Sequence, residues 1–159
     1  MWSGNSLFIQ NEASRRYNFS FYFLFFLPSG PNEVKIVVRV KDVNDNSPRF
    51  KLQGRPIVAA IPTSANYGYE IVKLQANDPD EGLNGDVRYQ ILGRIDDDSH
   101  KFSIDPLTGQ VRSVVSFAKD AGKVYGFDVK AVDRRGADTG RSAIANVFVS
   151  FSFFFFKGE

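Results

Sequence analysis

The sequence predicts an all-β protein, a Greek-key sandwich of seven strands. Three observations lead there: short segments rich in Val, Ile, Tyr and Phe recur after residue 50, turn signals separate nearly all of them, and no amphipathic helix of useful length intervenes. The candidate strands are residues 57–61, 70–76, 86–92, 102–104, 110–115, 124–132 and 143–150. Turns are expected at Asn84-Gly85, residues 105–109, Ala121-Gly122 and the polar stretch 134–140. Alternation such as Val87, Tyr89, Ile91 and Phe127, Val129, Ala131 turns one face of each strand to the core; for these side chains packing outweighs any ligand role.

Seven strands in roughly 100 residues is the economy of a sandwich of immunoglobulin-like shape. The whole chain has 159 residues, 43% hydrophobic and 24% charged, room for one domain with a real core plus extras. Its net charge is +2, with Lys and Arg scattered among Asp and Glu. No basic face therefore recommends nucleic acid, and no polybasic run recommends a membrane surface. With no Cys there is no disulfide framework, which leaves the compartment open for a domain of this size.

Residues 1–32 differ from the rest. Arg15 and Arg16 precede an aromatic run at 17–27, and Pro28-Ser29-Gly30-Pro31 then breaks any regular structure. The arrangement resembles the charged and apolar regions of a signal peptide, but it is too short to span a bilayer as a helix. No membrane span is expected. Asn18-Phe19-Ser20 fits a glycosylation sequon and carries no weight in such a context. Residues 34–41 alternate like a strand with one buried face, yet no convincing neighbour precedes them, so they read as the last strand of a preceding domain. Phenylalanine codons are pyrimidine-rich, as are the tracts before splice acceptors. The Phe-rich segments 1–32 and 151–159 are accordingly expected to be disordered or artefactual, translated intron in the sharpest form of the idea. Contiguous exon sequence across residues 27–34 would exclude that origin.

Residues 42–50 read Asp-Val-Asn-Asp-Asn-Ser-Pro-Arg-Phe. Asp42, Asn44, Asp45 and Asn46 carry side-chain oxygens, and Pro48 disfavours helix, so main-chain carbonyls such as that of Val43 stay free to act as ligands. Such oxygens, with no Cys and with His100 far off, suit a hard cation, calcium before zinc or copper. Alone, the cluster fits a turn equally well, since Asp and Asn bond their own backbone. Two further groups lie at strand ends, where a sandwich gathers its loops: Asp78-Pro79-Asp80-Glu81-Gly82-Leu83-Asn84-Gly85, and Asp133 closing strand 124–132. An EF-hand is excluded, because its flanking helices and terminal Glu are missing.

Catalysis finds little support. His100 is the only histidine, and no Gly-x-Ser-x-Gly turn occurs. Asp78 and Asp80 sit among polar turn residues, not in the apolar pocket that would keep one of them protonated. The run Asp96-Asp97-Asp98 reads as a solvated acidic turn.

Taken in order, these motifs resemble an extracellular cadherin repeat preceded by the last strand and linker of the repeat before it, over residues 34–149. Residues 42–50 match the family's Asp-x-Asn-Asp-Asn-x-Pro-x-Phe, and Asp78-Pro79-Asp80 with Asn84 matches its Asp-x-Asp element. Phe102 through Gly109 matches the middle hairpin, and Ala131-Val132-Asp133 the last calcium aspartate. The domain division that follows is 33–50 for the preceding strand and linker and 51–150 for the repeat. The resemblance implies Ca2+ at the junction, held by the linker Asp42, Val43, Asn44, Asp45 and Asn46 with Asp78, Asp80, Asn84 and Asp133. For one ion it supplies every ligand: Asn44 by side chain, Asn46 and Asn84 by carbonyl, Asp78, Asp80 and Asp133 by carboxylate. It also implies a noncatalytic adhesion role in the extracellular part of a plasma-membrane glycoprotein, with neighbouring cadherin repeats in cis and a cadherin-type partner on another cell, homophilic or heterophilic. A calcium-independent structural β-sandwich spacer or a non-adhesive protein-interaction module is the alternative. Two departures concern the far end: Thr63 stands where the family has Glu, and Ala118-Lys119-Asp120 where it has Asp-Arg-Glu.

Overall fold

The computed structural model describes residues 42–52, 54–93 and 98–152. The chain divides into two units, Met1–Val43 and Asn44–Glu159. Of the first only Asp42 and Val43 are described, both irregular in backbone. The expected strand at 34–41, the aromatic run at 17–27 and the Phe run at 153–156 lie outside the described residues.

The second unit is the expected all-β sandwich. Its strands are β1 (Arg49–Phe50), β2 (Ile57–Pro62), β3 (Glu70–Lys73), β4 (Ala76–Asn77), β5 (Arg88–Leu92), β6 (Phe102–Ile104), β7 (Gln110–Ser113), β8 (Val124–Val132) and β9 (Ser142–Ser152). One sheet has the order β2-β9-β8-β5, the other β3-β7-β6, and β1 pairs with β4. The chain thus changes sheet between β2 and β3, returns at β5, leaves again for β6 and β7, and returns at β8, the path of a Greek key. All pairings are antiparallel except β2 with β9, which run parallel from Ile57 opposite Val147 to Pro62 opposite Ser152.

Nine strands stand where seven were expected, β1 being new, and the strand expected at 110–115 ends at Ser113; three further differences have a local reason. The expected strand 70–76 is split into β3 and β4, because the Leu74 N–H turns to the Gly109 carbonyl at 2.9 Å. At Gly109, φ is +70° and an added Cβ would lie 2.4 Å from the Leu74 oxygen, so only glycine brings this turn so close. The strand expected from residue 86 begins at Arg88, since Asp86 is engaged in a turn through its N–H to the Leu83 carbonyl at 3.2 Å. The last strand continues to Ser152, and its period of two places Val147, Val149 and Phe151 together in the core.

Between the sheets, Val111, Val129, Val147 and Val149 are fully buried. At the beginning of β8 an aromatic cluster closes the sandwich: Phe117 lies 4.2 Å from Phe151 and 5.7 Å from Phe102, ring centre to ring centre, and Phe102 lies 4.6 Å from Phe127. At its other end Tyr89 is buried and its hydroxyl accepts from the Ala76 N–H at 2.8 Å. β8 has nine residues, so roughly 30 Å separate the aromatic end from Asp133. Of the acidic run at 96–98 only Asp98 is described; it opens a short 3-10 turn, Asp98–Lys101, and pairs with Lys101 at 2.7 Å.

Candidate metal centre

β8 ends by delivering Asp133 to a place where its side chain has no exposure to water. Its backbone is extended, and the next three residues are all left-handed: Arg134 at φ 49°, Arg135 at 59° and Gly136 at 78°. Two consecutive non-glycine residues in that region are costly and persist only where the surroundings hold them. Asp86 does so: its carbonyl accepts from the Arg135 N–H at 2.8 Å, and its carboxylate from Arg135 Nε at 2.8 Å and from Arg88. These bonds, Arg88 first and Arg135 second, hold the Asp86 carboxyl below the usual carboxylate range.

The linker reaches the same end of the sandwich. The Asn46 main-chain N–H donates to Asp80 Oδ2 at 3.1 Å, and its side-chain Nδ2 to Asp80 Oδ1 at 2.5 Å. The Asp80 N–H in turn donates to Asp78 Oδ1 at 3.0 Å, the arrangement expected of two aspartates flanking a proline. Asp133 Oδ1 accepts from the Arg141 N–H at 2.8 Å. Two glycines permit these approaches: a Cβ at Gly85 would meet the Asp80 carbonyl at 2.2 Å, and one at Gly140 would meet Asp133 Oδ1 at 2.8 Å.

What distinguishes the place is the set of oxygens left over. Asn44 Oδ1, Asp78 Oδ2 and Asp133 Oδ2 are buried and accept no hydrogen bond. Buried polar atoms without partners cost on the order of 1–3 kcal/mol each, more when charged, so three near one strand end require an explanation. Burial first, and then the charges of Asp80 and Asp133, raise the Asp78 carboxyl above the usual carboxylate range, against the Asp80 N–H and Arg141. The Asp80 and Asp133 charges thus add to burial in disfavouring the charged form of Asp78, and a cation among them would offset both.

Among the described residues, no three carboxylate or imidazole groups form a cluster that could hold a metal unaided. Both Asp80 oxygens accept from Asn46, which ties the linker to this end of the sandwich. The donor set is a mixed one, two carboxylates and an amide oxygen presented and a third carboxylate at hydrogen-bond distance from the linker. Oxygen donors of mixed type fit calcium and not zinc.

Hydrogen bonds join Asn46, Asp80 and Asp78 to one another and Asp45 to Asp133 through Arg141, and Asn44 precedes Asp45 in the linker. Asp45 contributes its main-chain carbonyl, which accepts from Arg141 Nη1 at 2.9 Å. Asn84 stands in the adjacent turn, where its side-chain Oδ1 accepts from Arg134 Nε at 3.1 Å. Asp42 and Val43, also in the expected ligand set, belong to the other unit. Arg141 is the participant that sequence reasoning missed: it holds Asp133 through its N–H and the linker through its guanidinium. His100 is exposed in the 3-10 turn, away from this site.

The family model described as the cadherin domain matches residues 57–150. Cadherin-89D of Drosophila melanogaster is 48% identical over 118 residues, covering 74% of this chain and 5% of that protein. Human protocadherin alpha-2 is 35% identical over 108 residues, covering 67% and 11% respectively. The chain thus spans 5% to 11% of the length of these relatives. Among solved structures, the human desmocollin-1 ectodomain aligns with a TM-score of 0.63 at 27% identity, over 70% of this chain and 21% of that one. Repeats EC21-23 of human CDH23 align at 0.61 and 30% identity, over 72% and 38%. With the cadherin domain model matched over residues 57–150 and a relative 48% identical over 74% of its length, the chain belongs to the cadherin family.

Proposed function

We propose that this repeat binds one calcium ion at the linker end of β8 and serves as a rigid, noncatalytic element of an extracellular, calcium-dependent adhesion protein. The observation that carries the reading is the trio of buried, unpartnered oxygens on Asn44, Asp78 and Asp133. Calcium there would take those three, the Asp80 carboxylate, and the carbonyls of Asn46 and Asn84. Six contributing residues, with one Asp bidentate, fall within the roughly six to eight oxygens that calcium accepts. The ion would tie the linker to two strand ends and stiffen the junction, while the further ions of a full junction would need carboxylates from the preceding repeat. Beads coated with the complete ectodomain should aggregate in millimolar calcium and disperse on chelation. Aggregation indifferent to calcium would instead support the calcium-independent spacer.

The opposite end belongs to the same proposal as a weak calcium end. Thr63, Phe151 and the turn before β8 meet there: the Thr63 N–H donates to the Ser152 carbonyl at 3.2 Å, and the Phe151 N–H to the Lys123 carbonyl at 3.1 Å. Thr63 is only 6% exposed and offers a neutral hydroxyl. Asp120, the one acid remaining in Ala118-Lys119-Asp120, is paired with Lys123 at 2.6 Å, which holds its carboxyl below the usual range. A lysine already neutralises the carboxylate a cation would need, and divalent ions crowded without anions repel. In small-angle scattering of the chain extended by its next repeat, that junction should stay flexible in calcium. Stiffening equal to that at the residue 42–50 linker would contradict this part of the reading.

A further inference from the structure

Where the chain crosses from one sheet to the other, part of the β9 edge has no paired strand among the described residues. β1 belongs with β4 and β2 with β9, and the turn between β1 and β2 spans the gap. β2 pairs with β9 only from Val147 onward, whereas β8 pairs with it from Ser142. Residues 142–146 of β9 therefore have no strand on the side away from β8 among the described residues. The Arg141 carbonyl and both main-chain groups of Phe151 face β8, since they bond Asp133 N–H, Lys123 carbonyl and Gly122 N–H. By the period of two, Ser142 and Ile144 turn their N–H and carbonyl groups the other way, toward the open edge.

A groove of about 380 Å³ lies along that edge. Phe50, Leu52 and Pro56 line one side, and Ala143, Ile144 and Ala145 the other. Two of these are large apolar side chains left open to solvent, Leu52 at 53% and Ile144 at 59% exposure. Arg49 and Arg55 also line the groove, both exposed, and neither has an ion pair among the described residues. Asn146, which also lines the groove, holds the Asp128 carboxylate through its side-chain amide at 2.6 Å. An open strand edge, an apolar floor and two uncompensated arginines are the elements of recognition by strand addition, in which main-chain bonds give affinity and side chains select charge.

We propose that this groove binds a short extended acidic segment of a partner protein, which adds to β9 at Ser142 and Ile144 and meets Arg49 and Arg55 with its carboxylates. The site is separate from the calcium reading and does not depend on it. Arg49 and Arg55 act here as guanidinium forks for carboxylates, a role lysine fills less well.

The probes are a capped peptide of alternating Glu and Val and its Lys-Val counterpart, titrated into the labelled chain by heteronuclear NMR. The acidic peptide should shift the Ser142, Ile144 and Asn146 amides and slow their hydrogen exchange, and the lysine peptide should leave them unmoved. Arg49→Glu with Arg55→Glu should weaken binding by about tenfold or more, as loss of two charge-assisted contacts implies. Arg55 lies outside the strands, so Arg55→Glu alone serves should the double variant misfold. Acidic peptide that leaves these amides unaffected at millimolar concentration, or that binds the charge-reversed variant equally, overturns the proposal. So does sedimentation showing that a second copy of the chain fills the groove.

Discussion

Asp133→Ala should abolish the rise in melting temperature that calcium is expected to give the parent chain, and should leave the sandwich folded. Asp133 is fully buried and presents Oδ2 without a partner, so it is the carboxylate whose role is hardest to explain by the protein alone. A ligand that binds only the folded state at a hundred times its Kd stabilises by about 2.7 kcal/mol. For a domain of roughly 100 residues that is a rise of about 10–20 °C in Tm. Alanine at position 133 removes the ligand and with it the linkage. Asp80→Ala acts likewise, because Asp80 joins the linker through Asn46 and the site through Asp78. Differential scanning calorimetry with and without millimolar calcium decides the matter: an Asp133→Ala chain that responds as the parent does would show the assignment to be wrong.

Phe151→Ala destabilises the sandwich by about 3–5 kcal/mol, the range for a large aromatic removed from a packed core. Phe151 is 1% exposed, with ring centres of Phe117 and Tyr125 at 4.2 and 5.4 Å. Its N–H and carbonyl also close the turn before β8. Urea unfolding measures the loss directly, with calcium absent so that the metal site does not contribute. A change below about 1 kcal/mol would mean that the cooperative unit ends at Ser150 and that Phe151 belongs with the residues after it.

That second result bears on what the sequence made legible. The expected strands follow from alternation between turn signals, and the same alternation runs on through Val147, Val149 and Phe151, though the Phe-rich composition beyond it conceals the point. The break at Leu74 could not be read, because it comes from a carbonyl on Gly109, far along the chain. Nor could the parallel pairing of β2 with β9, which depends on where two distant strands meet and not on either one's pattern. At the site, Asn44, Asn46, Asp78, Asp80 and Asp133 were legible as types and spacings. Arg141 was not, since its partner is a main-chain carbonyl 96 positions away, and main-chain partners leave no trace in side-chain motifs. The strained residues Arg134 and Arg135 were likewise hidden in a stretch that reads only as polar turn.

The proposed calcium site is completed within this chain, by the linker and the repeat together. Titration calorimetry of calcium into the chain, with magnesium as control, tests it most directly. The account predicts a stoichiometry of about one and much weaker heat with magnesium, which prefers a tighter octahedral shell and retains its waters. No heat at millimolar calcium, equal response to magnesium, or a stoichiometry well above one would contradict it.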